Sequence, residues 1–308
     1  MLEDRILSTL RFFDLQDYPL TLLELQQFLM EDEQVLKQRV DSQFEINNIQ
    51  NVKTPERSIT SGEILRCVEE ECQGQVEEDR GFYYLRGKNK IVQRRLQSYN
   101  YGLKREQLIR KFVWPLRHLP FVRGVALAGS QAMGLYKSTS DIDLLIITDP
   151  KFLWLARSLV TAYFQVIGQR RHGSIVIDRF CLNHYLAGPK KISKWKNLYT
   201  AWEYLKLRPL VYRQEIYEFQ SQNLEWLKIY FPNFVLERPQ NEKPSGIQRV
   251  LEGIFTNRFG LWLEKQIKKS LSGRIRKEPY ILVEEDELSF HPNSAQQELL
   301  RQFFKNEQ

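Results

Sequence analysis

Two aspartates separated by one isoleucine, Asp141 and Asp143, stand at the start of a run of apolar residues. Side chains alternate between the two faces of a strand, so we expect both carboxylates on one face and Ile142 on the other. Paired carboxylates are poor core components but good ligands for hard divalent cations such as Mg²⁺. The spacing therefore predicts a cation site at the start of this strand.

A glycine-serine pair, Gly129-Ser130, follows an earlier apolar run at 125–128, and ten residues separate Ser130 from Asp141. Glycine allows the backbone to come close to a ligand. Free N–H groups at the start of a following helix favour phosphate. We therefore expect a phosphate-binding turn that opens toward the predicted cation site.

The complete string, from the first apolar run through Gly129-Ser130 to Ser140-Asp141-Ile142-Asp143, resembles the signature of the DNA polymerase β-like nucleotidyltransferase superfamily. The SDID form is most similar to its minimal nucleotidyltransferase branch. The resemblance implies Mg²⁺-dependent transfer of an NMP from an NTP, such as ATP, to an acceptor hydroxyl, with release of pyrophosphate. It also implies two Mg²⁺ ions, or Mn²⁺ in their place, on Asp141 and Asp143. Gly129, Ser130 and Ser140 are the implied nucleotide-binding residues.

The family also uses a third carboxylate on a neighbouring strand, and Asp178 is the candidate in this chain. It lies in an otherwise apolar stretch, 174–186, which predicts a third strand. The resemblance implies that Asp178 is a metal ligand and helps to deprotonate the acceptor. The alternative is a buried acid that pairs with Arg179 or a helix end. His184 has the same strand parity as Asp178, and a hydrogen-bonded structural histidine is the preferred interpretation.

The elements that must position these residues suggest an α+β protein with four regions. They are a winged-helix-like module (1–90), a basic connecting helix (91–118), a nucleotidyltransferase core with a small mixed sheet (119–188) and a helical C-terminal region (189–308). Helices followed by a hairpin around Arg80-Gly81 favour the winged-helix interpretation. The candidate recognition helix, 63–72, is rich in glutamate, which disfavours binding to phosphate-lined grooves. We therefore expect this module to contact a protein partner or the rest of the chain.

Composition is that of a globular protein, with 42% hydrophobic and 27% charged residues in a chain of 308. Three cysteines without a pairing pattern favour reduced thiols and a cytoplasmic location. The most apolar helical stretch, 152–168, carries a polar stripe, so we expect no membrane partner.

The net charge of +7 is concentrated in two basic stretches, 88–123 and 190–213. Such surfaces attract anions, so RNA or another anionic molecule is the favoured acceptor, with proteins and small hydroxyl compounds as alternatives. A solvated helix face explains the first stretch equally well.

Three functions remain open at this stage. The first is an active nucleotidyltransferase with an NTP and an unidentified acceptor. The second is a catalytically inactive nucleotide-binding regulator that acts through the N-terminal module. The third is a DNA-binding regulator, which the acidic helix weakens.

Overall fold

The computed structural model describes residues 1–41, 44–46, 58–240, 242–275, 282–290 and 294–305. Within these ranges helices alternate with short strands, and the predicted α+β class is confirmed. The described ranges contain no helix with both the length and the apolar character needed to cross a bilayer.

The first 90 residues contain the predicted helices and terminal hairpin, together with an additional short strand. The elements are α1 (Leu2–Asp14), β1 (Leu20–Thr21), α2 (Leu22–Gln27), α3 (Glu33–Lys37), α4 (Ser61–Glu70), β2 (Val76–Asp79) and β3 (Phe82–Leu85). Strand β3 lies between β1 and β2 and is antiparallel to both. Thr21 and Thr60 start α2 and α4 through the predicted capping boxes. Residues 42–43 and 47–57, in the longer segment interpreted as an insertion, lie outside the described ranges.

The predicted connecting helix is present as α5 (Lys90–Val113), and a 3-10 helix (Trp114–His118) follows it. One face of α5 is buried along its whole length, because its inward residues recur at helical spacing. The two ends of this face are apolar, whereas its middle consists of Arg95, Ser98, Gly102 and Arg105. The middle of α5 therefore faces a polar part of the molecule.

The rest of the chain builds a mixed sheet with helices on both faces. Its elements are β4 (Val122–Leu127), α6 (Gly129–Ala132), β5 (Ile142–Thr148), α7 (Leu153–Val166), β6 (Phe180–Ala187), α8 (Leu198–Leu205), β7 (Arg208–Val211), α9 (Arg213–Tyr230), α10 (Gly246–Phe255), α11 (Arg258–Ile275), β8 (Leu282–Val283), β9 (Glu287–Ser289) and α12 (Ser294–Lys305). The strand order is β7-β4-β5-β6-β9-β8. Strands β5 and β6 run parallel, and the other neighbours are antiparallel.

The alternation of side chains along β5 divides the sheet into two faces. Ile142, Leu144 and Ile146 pack against α7 in one apolar cluster. Leu145 and Ile147 belong to a second cluster, which includes residues of the N-terminal module and of α8, α9 and α12. By the same alternation Asp143 points to the second face.

Aromatic residues join the N-terminal module to the helices that follow the core. The Trp202 ring of α8 lies edge-on to Phe12, Phe13 and Tyr18, with centroids 5.0–6.0 Å apart. Aromatic residues that the sequence places on one face of α8 are thus core residues. The first 90 residues share a core with the C-terminal helices, which keeps the module fixed beside the sheet.

Three predicted elements differ from those observed. The region after residue 188 is not only helical, because β7, β8 and β9 join the central sheet. Ser245 and Gln248 have the spacing of a capping box and Gly273 is a helix stop, which predicts one helix from Ser245 to Ser272. The structure has two helices instead, α10 and α11, separated at Thr256-Asn257. Helix α7 begins at Leu153 rather than at Asp149-Pro150, and Glu264 of α11 accepts hydrogen bonds from its first amides. Long-range contacts account for the added strands and for the start of α7. At the break between α10 and α11 the contacts are local, because the Asn257 side chain donates to the Ile254 carbonyl and accepts from the Gly260 amide.

Candidate active site

Asp141 and Asp143 lie at the start of β5, where the sequence predicts them. Asp141 directly precedes the strand, and Asp143 is in register with Cys181 of β6. One potential ligand atom from each of these three side chains lies within 4.8 Å of those of the other two. Asp141 and Asp143 thus form a pair of carboxylates with a thiol beside them.

The Gly129-Ser130 turn lies directly against this pair. Gly129 has a φ of +63°, and a Cβ atom at this position would lie only 2.5 Å from Asp143 Oδ2. Glycine is therefore required here both for its backbone conformation and for space. The Ala128 amide donates to the Asp143 carbonyl, with an N–O distance of 3.0 Å, and the Gln131 side-chain amide donates to the Asp141 carbonyl. The structure brings together two motifs that ten residues separate in sequence.

The loop between the two motifs is held by the polar middle of α5. Ser98 accepts a hydrogen bond from the Tyr136 amide and donates one to the Gly134 carbonyl, at 2.8 and 2.9 Å. A Cβ atom on Gly102 would lie 2.7 Å from the Tyr136 ring, so the ring packs directly on the helix backbone. Arg105 Nη2 donates to the Ser140 carbonyl at 3.1 Å. Helix α5 therefore positions the segment that leads into Asp141.

Asp178 is not part of the group formed by Asp141, Asp143 and Cys181. The third strand begins at Phe180 rather than at residue 174, so Asp178 lies in the preceding turn with a φ of +56°. Its carboxylate accepts a hydrogen bond from Nε of the buried Arg105 at 2.6 Å, not from the neighbouring Arg179 as the alternative proposed. Its backbone amide donates to the Ser140 carbonyl. Asp178 is thus tied to the loop and to α5.

Cys181 and Asn183 are the β6 residues that reach the aspartate pair. Asn183 Nδ2 donates to Asp143 Oδ1 at 3.1 Å. Asn183 lies two residues after Cys181 and therefore shares its strand face, while the register shifts between the Cys181 and His184 pairings. Burial raises the pKa of the Cys181 thiol, and the charges of Asp143 and Asp141 raise it further. Cys181 is therefore a neutral thiol where the resemblance implies a carboxylate.

Arg171 contacts the pair from the solvent side. Its Nη1 lies 2.6 Å from Asp141 Oδ2 and 3.5 Å from the Cys181 sulfur, and 44% of its side chain is exposed. From the sequence alone, Arg170 and Arg171 could meet substrate phosphates or lie equally well in a solvated turn. The bridge of Arg170 to Phe180 places this segment beside β6 and explains how Arg171 reaches Asp141.

His184 is a structural residue, as preferred from the sequence. It is buried, and its Nε2 atom lies 3.1 Å from Glu287 Oε1 of β9. Lys190 also reaches Glu287, with a nitrogen–oxygen distance of 3.5 Å. These contacts hold β9 against β6. Because His184 takes part in them, it has no role at the aspartate pair.

Helix α8 covers the same side of the sheet. Burial raises the pKa of Tyr199, and the carboxylates of Glu203 and Asp143 add to this effect. The phenol therefore stays protonated. Tyr199 and Glu203 lie one turn apart and therefore share one face of α8.

The basic stretches are less basic at the surface than their composition indicates. Arg95 and Arg105 are buried. Arg94 pairs with Asp17, and Arg123 with Asp149 and Glu252. Lys190, Lys194, Arg208 and Arg213 of the second stretch also have acidic partners. The exposed cation Lys137 lies in the loop before Asp141, beside a cavity of about 290 Å³ between this loop, α5 and the N-terminal module.

Comparison with known proteins gives one match. The family model described as nucleotidyltransferase domain matches residues 106–289, which is more than half of the chain. The matched range starts within α5 and extends to β9, so it includes the whole Gly129 to Asp143 region and the strands from the C-terminal region. No curated protein and no solved structure matches the chain. The chain belongs to the nucleotidyltransferase domain family.

Proposed function

We propose that this protein transfers an NMP from an NTP to an acceptor hydroxyl, with release of pyrophosphate and with a divalent cation on Asp141 and Asp143. The observation that carries the proposal is the contact between Gly129 and the Asp143 carboxylate, whose oxygen would lie 2.5 Å from a Cβ atom on that glycine. This contact joins a turn suited to phosphate with a carboxylate pair suited to Mg²⁺ or Mn²⁺.

The ligand atoms of the site are of the kind that bind such an ion. Asp141 and Asp143 offer hard oxygen ligands on one strand face, and the Gly129 turn leaves their region free of side chains on that flank. A divalent cation bound there would stabilise the negative charge that develops on the phosphate oxygens during transfer.

The remaining roles belong to residues that surround the pair. The amides of Gly129 and Ser130, with the Ser130 hydroxyl, bind the terminal phosphates, and Ser140 borders the same loop. Asn183 orients Asp143 through its hydrogen bond at 3.1 Å. Arg171 leaves Asp141 when the cation binds and then faces the phosphates, since its side chain is 44% exposed and free to turn.

Two carboxylates rather than three lie together at the candidate cation site. Asp178 is held by Arg105, and Cys181 is neutral. We therefore propose that the protein itself binds one ion firmly on Asp141 and Asp143, whereas a second ion needs the phosphates of the NTP as its main ligands.

We propose an anionic acceptor that approaches along the loop before Asp141. Lys137 is exposed there, and Tyr101 and Tyr136 line the neighbouring cavity with Arg94. Aromatic and cationic side chains together suit an RNA end, because bases stack on aromatic rings and phosphates attract cations.

The test is incubation of the full chain with each α-labelled NTP, Mg²⁺ or Mn²⁺, and separate RNA, protein and metabolite fractions. We expect label in one fraction, and loss of labelling in the Asp141→Asn plus Asp143→Asn variant. Persistence of labelling in that variant would overturn the site assignment. Mass spectrometry of the labelled molecule identifies the acceptor.

A second candidate, an inactive nucleotide-binding regulator acting through the N-terminal module, has one observation in its favour. Arg171 lies where a cation would approach Asp141, and a neutral thiol replaces the third carboxylate. Binding of NTP without turnover in any acceptor fraction, with a change in binding of a partner protein, would favour this candidate.

A further inference from the structure

The outer faces of α10 and α11 carry large apolar side chains that nothing in the described part of the chain covers. On α10 these residues recur at helical spacing, and on α11 two aromatic rings stack with centroids 5.8 Å apart. Their exposed fractions lie between 44% and 70% for Ile247, Val250, Ile254, Phe259, Leu261 and Trp262. Contiguous apolar surface of this kind marks an interaction site.

The inner faces of both helices are fixed to the sheet, so the apolar residues cannot simply turn inward. Glu252 accepts hydrogen bonds from the Phe121 amide and from Arg123, at 2.7 and 2.6 Å. Glu264 accepts two from the first amides of α7, at 2.9 and 2.7 Å. Leu263 and Ile267 pack beside Phe121 in an apolar cluster.

The charges of this helix pair are separated by sign. Within residues 246–273 the two acids, Glu252 and Glu264, are half-buried and bound to the core. The exposed charged residues in that range are all cations, namely Arg249, Arg258, Lys265 and Lys269, while Lys268 is half-buried and pairs with Glu285. The occupant of the outer face must therefore offer apolar contact and negative charge together.

We propose that the outer faces of α10 and α11 bind the surface of a membrane that contains anionic phospholipids. A lipid interface supplies acyl chains for Ile254 and Trp262 and phosphate groups for Lys265 and Lys269. A second copy of the chain would bring two sets of cations together, which is unfavourable. Nucleic acid would neutralise the cations but would leave the aliphatic side chains of α10 without a partner. Binding at a surface needs no spanning helix, and it revises the expectation of no membrane partner.

The test is co-sedimentation of the full chain with vesicles of phosphatidylcholine, with and without phosphatidylglycerol. We expect binding at least about tenfold tighter to the anionic vesicles, because each cation near an anionic surface contributes about fivefold. The Lys265→Glu plus Lys269→Glu variant should bind at least about 25-fold more weakly, because both cations are lost and two anions take their place. The Ile254→Ser plus Trp262→Ser variant should lose about tenfold or more, because apolar burial is lost.

Matched controls come from α5 and α2. Lys104→Glu plus Lys111→Glu changes the same number of exposed lysines, and Leu23→Ser plus Leu103→Ser removes two leucines that are 72% and 69% exposed. Both controls should bind vesicles as the wild type does. Equal loss in the controls, absence of vesicle binding, or loss of self-association or RNA binding instead of vesicle binding in the α10–α11 variants would overturn the proposal.

Circular dichroism spectra show whether each variant is folded. The Asp141→Asn plus Asp143→Asn variant should bind vesicles normally, so this result is independent of the proposed transfer activity.

Discussion

Two arginine–aspartate ion pairs hold neighbouring parts of the candidate active site, and both have a nitrogen–oxygen distance of 2.6 Å. In the pair between Arg105 and Asp178 the arginine side chain is only 4% exposed, whereas in the pair between Arg171 and Asp141 it is 44% exposed. Distance alone would make the two pairs equivalent. Burial of the arginine separates them, although each pair has one half-exposed partner, which is Asp178 in the first and Arg171 in the second. The Arg105 guanidinium is removed from water and depends on its carboxylate, whereas the Arg171 guanidinium can exchange its partner for water.

Because of this difference, Asp141 and Asp178 have different roles. Arg105 also donates to the Ser140 carbonyl, so its pair with Asp178 holds the turn before β6 and the loop before β5 together. Arg171 contacts Asp141 from the solvent side, and the pair can open without disturbing a core. A carboxylate that must accept a cation is therefore available at Asp141, while the Asp178 carboxylate is committed to the scaffold.

The largest expected effect is a difference in NMP transfer rate between variants of Asp141 and of Asp178. Asp141→Asn should lower the NMP transfer rate by about 10³-fold or more, since a group that stabilises transition-state charge is lost. Asp178→Asn should lower it by less than about tenfold, because an amide can still accept the hydrogen bond from Arg105. Single-turnover rates with an α-labelled NTP measure both. Equal loss in the two variants would restore Asp178 as a metal ligand.

The next effect is a difference in the free energy of unfolding between variants of Arg105 and of Arg171. Arg105→Met should lower the free energy of unfolding by about 2 kcal/mol, a value below that of a fully buried pair because Asp178 is partly exposed. Arg171→Gln should change it by less than about 0.5 kcal/mol, because the Arg171 side chain is 44% exposed and water screens its contact with Asp141. Urea denaturation followed by circular dichroism measures both variants. Similar destabilisation by the two would show that burial does not distinguish the pairs.

The sequence predicts the parts of the site that depend on local pattern. The alternation at Asp141 and Asp143 and the conformation of Gly129 follow from strand geometry and from the freedom of glycine, and both are as expected. The pairing of Arg105 with Asp178 joins residues 73 positions apart, and no local rule indicates it. The same holds for β7 and β9, which are too short to have a clear strand signal and join the sheet through long-range pairing.

The sequence also does not predict which residue of β6 lies beside Asp143. Asp178 has the residue type that the family pattern requires, but the strand begins two residues later and its register places Cys181 opposite Asp143. The parity that relates Asp178 to His184 fails as well, because Asp178 lies before the strand and the pairing shifts between Cys181 and His184. Register depends on how two strands pair, so the sequence of one strand does not determine it.

Cys181 offers a way to sharpen the comparison, because a carboxylate at this position would add a ligand for a cation that competes with Arg171 for Asp141. Cys181→Asp should raise the affinity for Mn²⁺ by about tenfold, since affinity rises with the number of charged oxygen ligands. Electron paramagnetic resonance of free Mn²⁺ measures the change without any turnover. Cys181→Ser is the control, as it keeps a small neutral side chain, and its affinity should stay near that of the wild type. No gain in Cys181→Asp would place the cation away from β6.

The smallest expected effect concerns Arg171 itself. A cation that binds Asp141 must displace a guanidinium whose nitrogen lies 2.6 Å from the carboxylate. An exposed ion pair contributes little, so Arg171→Gln should raise the Mn²⁺ affinity by only about twofold to fivefold. Salt screens the exposed pair, so the difference between variant and wild type should shrink as KCl is raised. Arg170→Gln removes a neighbouring charge without touching Asp141 and should have a smaller effect at every salt concentration. Equal effects of the two substitutions would mean that Arg171 acts through its general charge, and the comparison between the two pairs would then rest on Arg105 alone.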